Sequence, residues 1–148
     1  FFFFRLNPQR SRLSFLFMKY FGHQPLDALV TALSTGATLK QTKVSLPHTA
    51  QNAAILSLLS SHGLLHGWIL EKNLCVATLR YVDGKPALRT IRRISKSQKR
   101  VYLRARQLDQ GTPYWNLKVL STDHGILSHT EAWILNLGGE HLLEVNGS

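Results

Sequence analysis

Apolar positions change their period along this 148-residue chain, and each change marks an expected element. From Pro25, "PLDALVTALSTG" carries Leu26, Leu29, Val30 and Leu33 at helical spacing, and Gly36 is placed to end the helix. "TKVSLP" alternates and stops at Pro47, as a short strand does. The helical period returns in "HTAQNAAILSLLSSHG", where Ala54, Leu58 and Ser61 stand beside Ile55 and Leu59 and Gly63 closes the helix. "LLHGWILE", "LCVATLRYV" and "PALRTIRRI" read as three strands, the last two joined by the hairpin signal Asp83-Gly84.

After Ser95 the pattern changes again. "SKSQKR" is a polar, basic turn, and "VYLRAR" alternates Val101, Leu103 and Ala105 with Tyr102, Arg104 and Arg106, so one face is apolar and the other aromatic and cationic. "QLDQGTPYWN" is loop-like, and "LKVLST" is a strand. Ser128 with Glu131 forms a capping box that opens the helix "TEAWILNLG", which Gly138 is expected to end. "EHLLEV" reads as a final edge strand. The expected fold class is α+β in two small α/β lobes. An N-terminal α-β-α-β-β lobe spans 25–94 with one more strand leading out, and a C-terminal, mostly β lobe with one capped helix spans 95–148. An extension, 1–24, precedes them.

Charge changes this picture from architecture to partner. The chain has 18 Lys and Arg against 8 Asp and Glu, a net charge of +10, which points to a polyanion and to nucleic acid before an anionic membrane. Ten of the cations fall between Arg80 and Arg106 (Arg80, Lys85, Arg89, Arg92, Arg93, Lys96, Lys99, Arg100, Arg104, Arg106), with Asp83 the one acid among them. A charged surface serving only solubility would not gather its positive field in one segment. No window reaches the roughly 20 apolar residues of a membrane span. The single cysteine, Cys75, excludes an internal disulfide and a cysteine-rich zinc site, and suits a reducing compartment. The segment before Pro25 carries Arg5, Arg10, Arg12 and Lys19, serines and many phenylalanines without an acid. That composition fits an organelle-targeting segment, and equally an extension that docks on RNA or a neighbour.

"VLSTDHGILSHTEA" sets Ser121, Asp123 and His124 within four residues, as a nucleophile with its base would. A triad needs three side chains converging from different directions, whereas residues of one turn diverge, and no G-x-S-x-G elbow surrounds Ser121. The seven histidines show no metal-binding pair, and no glycine-rich loop opens a helix to hold phosphate. The residues alone leave two readings of the turn. Its hydroxyls could simply satisfy the backbone of a strand-to-helix connection. Alternatively, Ser121 and Thr122 could approach a sugar-phosphate backbone, with Gly125 allowing positive φ and Tyr102 stacking between phosphate-neutralising arginines.

Taken together, the order of elements and five local motifs resemble the bacterial-type small-subunit ribosomal protein eight family, in a divergent, mitochondrial form. The resemblance runs from about Pro25 to Val145. "LKVLSTDHGILSHTEA" is its most specific part, supported by "VSLPHTAQNAAILSLLSSHGLL", "LRYVDGKPALRTIRRISK", "KRVYLR" and "LGGE". It implies a two-lobed protein without a catalytic centre, metal, cofactor or small-molecule substrate. Such a protein binds the central domain of small-subunit ribosomal RNA, touches neighbouring ribosomal proteins and has no membrane span. The implied RNA-binding residues are Ser121, Thr122, Asp123, Gly125, Tyr102, Arg100, Arg104, Gly139 and Glu140. The implied location is the mitochondrial matrix ribosome, with the plastid as the alternative. Asp123, where the family usually has Ser, and the turn "SKSQKR", which lacks the family's Pro-Gly, depart from the pattern. A stand-alone RNA-processing or RNA-binding factor is the competing function. As an enzyme it would need an acidic or histidine cluster converging on the basic face, and the sequence shows none.

Overall fold

The computed structural model describes residues 25–96, 98–108, 113 and 115–147; the expected extension 1–24 lies outside them. The chain runs α1 (Pro25–Thr38), β1 (Lys43–Pro47), α2 (Ala50–Ser61), β2 (Leu65–Glu71), β3 (Leu74–Leu79), β4 (Tyr81–Val82), β5 (Lys85–Pro86), β6 (Leu88–Arg93), β7 (Tyr102–Leu103), a 3₁₀ turn (Ala105–Gln107), β8 (Asn116–Thr122), β9 (Gly125–Ser128), α3 (His129–Ile134) and β10 (Gly139–Gly147). The α+β class expected from the pattern is the one observed.

There are two main antiparallel sheets. The first has the order β1-β3-β2, and the second β6-β10-β8-β9, with β7 also on β10. Helix α1 packs on β1 and β6, and α2 on β2 and β9, so both helices touch both sheets. One apolar cluster therefore joins Leu29, Leu33, Ile55, Leu56 and Leu59 to Val44, Leu46, Cys75 and Ala77 of the first sheet and Ile91, Val119, Leu143 and Val145 of the second. Service to two sheets also explains why α2 buries Asn52 along with Ile55, Leu56, Leu58 and Leu59 rather than showing a narrow apolar stripe. A smaller cluster of Leu108, Leu120 and Ala132 lies under α3.

The helices share one way of stopping. Lys40, Gly63 and Asn136 all take left-handed φ (56°, 76° and 56°). In each case the next residue donates its N–H five residues back: Gln41 to Gly36, Leu64 to Leu59, and Leu137 to Ala132. That is a Schellman closure, which satisfies carbonyls the helix leaves open. Two expected stop signals are thereby corrected. Gly36 lies inside α1, which continues to Thr38, and a Cβ there would collide with Val44 Cγ1. Gly138 does not end α3, because Asn136 already reverses the chain and the helix stops at Ile134.

Other corrections concern strands. The stretches read as 74–82 and 86–94 are each broken, since the chain leaves the first sheet at Arg80 and forms the separate β4–β5 ribbon about Asp83 (φ 53°) and Gly84 (φ 77°). "VYLRAR" forms ladder only at Tyr102–Leu103 before winding into the 3₁₀ turn, although its alternation of half-buried and exposed positions holds. "EHLLEV" belongs to β10, which is central and not an edge: it pairs with β6 and β7 on one side and β8 on the other.

His141, on the α3 side of β10 opposite Leu120, is 5% exposed, and its Nε2 meets no hydrogen-bond partner among the described residues. Burial lowers its pKa below 6.5, Lys118 and His129 lower it further, and Glu144 and a backbone hydrogen bond at Leu143 oppose the shift. A depressed folded-state pKa means that the neutral ring stabilises the fold above pH 6.5 and that this contribution fades as pH falls below it. His141→Leu is therefore expected to flatten the pH 7-to-5 dependence of the urea midpoint. Separately, Gly36→Ala is expected to cost about 1–2 kcal/mol in chemical denaturation, because the crowding of Val44 outweighs the gain in helix propensity. In a Val44→Ala background that cost should vanish.

Candidate nucleic-acid interface

Beyond the apolar core, at one end of the second sheet, four strands each contribute a residue to one transverse row. Tyr102 of β7 opposes Glu140 of β10, Glu140 opposes Ser121 of β8, and Ser121 opposes Ile126 of β9. Directly opposed residues share a sheet face, and the strand spacing sets Tyr102 and Ser121 about 10 Å apart with Glu140 between them. Thus three of the residues implied by resemblance, distant in sequence, are brought side by side.

The "STDHG" turn is a β-hairpin and not the strand-to-helix connection considered above, because β9 intervenes before α3. Thr122 opposes Gly125, whose φ of 100° makes the return, and exposed Asp123 and His124 form the tip. The Thr122 hydroxyl donates to Gly125 O at 2.9 Å and accepts from His124 N at 3.2 Å. Thr122 thereby closes the turn, and Ser121 is the hydroxyl that stands on the row. Behind the hairpin, the Ser128–Glu131 capping box forms as expected. His129 Nδ1 accepts from Lys118 N at 3.1 Å, extending the pairing of β8 past Ser128 and fixing the proton of a neutral ring on Nε2.

The two glycines before Glu140 act through space. A Cβ on Gly138 would lie 2.7 Å from Leu103 O, and one on Gly139 would strike Ser121 O and lie 2.9 Å from Thr122 Cγ2. Their bare backbone lets β10 enter the slot between β7 and β8. Gly139, named above for RNA contact, is placed against the backbone of Ser121.

Glu140 is anchored on both carboxylate oxygens. Ser95 Oγ donates to Oε2 at 2.6 Å, and Arg100 Nη1 lies 3.7 Å from Oε1. Sequence reasoning did not single out Ser95, which is 1% exposed in a segment that reads as polar and solvated. Only its partner across the sheet distinguishes it.

The structure also sorts the basic segment. Arg92 pairs with Glu144 at 3.0 Å and Arg93 with Asp27 at 2.8 Å, while Arg80 donates to Gly63 O at 3.0 Å. Lys96, Lys99, Arg104 and Arg106 are exposed and form no ion pair among the described residues; Arg100 is exposed beside Glu140. Tyr102, 65% exposed, stands among them. The assembly offers cations, an aromatic ring and a hydroxyl on one surface, the groups that bind phosphate, base and ribose. Among the described residues no three His, Cys, Asp or Glu side chains group as metal ligands, and no helix is long and apolar enough to cross a membrane. Cys75 is fully buried, its pKa pushed up by that burial, with His48 Nδ1 3.3 Å from its sulfur.

Ribosomal protein S8 is the family whose sequence pattern matches residues 24–146. Small ribosomal subunit protein uS8 of Afipia carboxidovorans is 33% identical over 128 residues, covering 83% of this chain and 97% of its own length. The uS8 proteins of Rhodopseudomonas palustris and Nitrobacter hamburgensis match at the same identity and coverage. With a match that spans both sheets and the row at their end, this chain belongs to the ribosomal protein S8 family.

Proposed function

We propose that this protein is a structural constituent of the small ribosomal subunit that binds the central domain of small-subunit ribosomal RNA, and that it is not an enzyme. The observation that carries the reading is the transverse row Tyr102–Glu140–Ser121 beside exposed Lys96, Lys99, Arg100, Arg104 and Arg106. On this reading the Ser121 hydroxyl exchanges hydrogen bonds with a ribose in the shallow minor groove, Tyr102 packs against the RNA and the cations neutralise phosphates. Thr122 and Gly125 hold the hairpin in shape, and Asp123 at the tip faces a base amino group or a cation rather than a phosphate. Residues 95–148 form the RNA-binding lobe and 25–94 the lobe that supports it. Neighbouring ribosomal proteins are the second class of partner, supported by the exposed Trp133, Ile134 and Leu135 at the end of α3.

The ribosome concerned is proposed to be organellar, mitochondrial before plastid. The support is the arginine- and serine-bearing, acid-poor segment before Pro25, since the relatives named above are bacterial. Sedimentation of the chain with mitochondrial small subunits tests this placement, and its recovery only with plastid subunits would reverse it.

Two substitutions test the interface on a central-domain RNA helix. Ser121→Ala should weaken filter binding about tenfold with the thermal midpoint unchanged. Arg104→Ala should reduce the slope of log affinity against log salt by about one. Wild-type values for both would remove the row from the RNA.

A further inference from the structure

We infer that Ser95 and Glu140 form a clasp that sets the position of the basic ledge relative to the hairpin, so that Glu140 is a positioning residue rather than an RNA ligand. The inference rests on the RNA-binding reading above and deepens it.

The geometry begins at the edge of β10. That edge is paired with β6 up to Arg93, is continued by Ile94 N on Leu142 O at 2.9 Å, and resumes where His141 N donates to Val101 O at 2.8 Å, just before β7. Between these points the chain leaves the sheet and returns. Reciprocal backbone bonds between Lys96 and Lys99, at 2.9 and 3.0 Å, close the excursion. Ser95 stands at its base. Its hydroxyl accepts from Val101 N at 3.0 Å and donates to Glu140 Oε2 at 2.6 Å, and its carbonyl accepts from Arg93 Nε at 2.7 Å. One buried hydroxyl therefore ties the outgoing strand, the returning strand and the central strand together. The second oxygen of Glu140 faces Arg100, on the ledge itself.

This arrangement has a functional direction. Lys96, Lys99 and Arg100 ride on the excursion and Tyr102 on β7 just after it, whereas Ser121 rides on β8, and Glu140 is the residue between Tyr102 and Ser121. A hydrogen bond to an ionised carboxylate is among the stronger kinds, and a buried one is hard to exchange for water. Ser95 carries no charge and is too buried to reach RNA, so any effect it has on RNA affinity passes through position. A carboxylate aimed at phosphates would weaken binding. Turned back onto Ser95 and Arg100, it presents little charge to them.

The test is a double-mutant cycle in RNA affinity, using the full chain and the same central-domain helix, with thermal midpoints and salt slopes recorded. Ser95→Ala is expected to lower affinity about tenfold with the slope unchanged, and to have less than a twofold effect in a Glu140→Ala background. Glu140→Gln, whose amide oxygen still accepts from Ser95, is expected to keep affinity within about twofold and to steepen the slope by up to about one as Arg100 is released to phosphate. Additive losses, or an unaltered affinity for Ser95→Ala, overturn the clasp. Should Ser95→Ala fail to fold, Glu140→Gln decides alone: a tenfold loss at constant slope places the carboxylate on the RNA and overturns the inference. Ser121→Ala, measured alongside, separates two failures. If it weakens binding and Ser95→Ala does not, the clasp falls and the interface stands. If Ser121→Ala has no effect, the interface falls and takes the clasp with it.

Discussion

The ladder that β10 makes along both its edges is the constraint on which the second sheet depends. A buried strand must pair its backbone groups on either side, since no water reaches them. β10 meets this requirement with β8 on one edge and, on the other, with β6, Ile94, Val101 and β7 in turn. Two chain segments separated by an excursion thus share one edge, and the register of each is fixed by the same strand. The glycines at its start permit the approach, because a side chain at either position would meet backbone oxygen.

With the register fixed, charge is distributed by position and not by composition. Arg92, Glu144 and Lys118 form a cation–anion–cation row on the α3 side of the sheet, and Arg93 on the opposite face fastens α1 through Asp27. The two adjacent arginines point to opposite faces, as strand geometry requires, and both meet carboxylates of the fold. Of the cations left facing solvent, Lys85 and Arg89 lie on β5 and β6, and Lys96, Lys99, Arg100, Arg104 and Arg106 lie around the excursion and β7. A basic segment that reads as one footprint is thus two populations, one bonded to the fold and one exposed to solvent.

The sequence disclosed what depends on local spacing. Leu26, Leu29 and Leu33 appear as a helical face and are buried, and Asp83-Gly84 makes its turn. It misled where a local signal competes with long-range pairing. Gly36 and Gly138 look like helix stops, but both are sites where another part of the chain comes too close for a side chain. The true stops at Lys40 and Asn136 are non-glycine residues held left-handed by their Schellman bonds. "EHLLEV" reads as an edge, yet it is central, with Glu144 meeting Arg92 across the sheet and Glu140 turning toward Ser95. For the site, motifs identified Ser121 and Tyr102, and strand pairing placed them together. Ser95 could not be read at all, since nothing local distinguishes it from the other serine in "ISKSQKR".

The central position of β10 has a consequence for biosynthesis. This strand follows every other described element in chain order, so a nascent polypeptide possesses β6, β7, β8 and β9 before it possesses the strand that joins them. Until residues 139–147 have left the peptide exit tunnel, Tyr102 and Ser121 belong to unconnected fragments. A polypeptide interrupted before that point lacks the strand that sets Tyr102 beside Ser121. The order of strands thus makes the second sheet the last part of the described fold to close during synthesis.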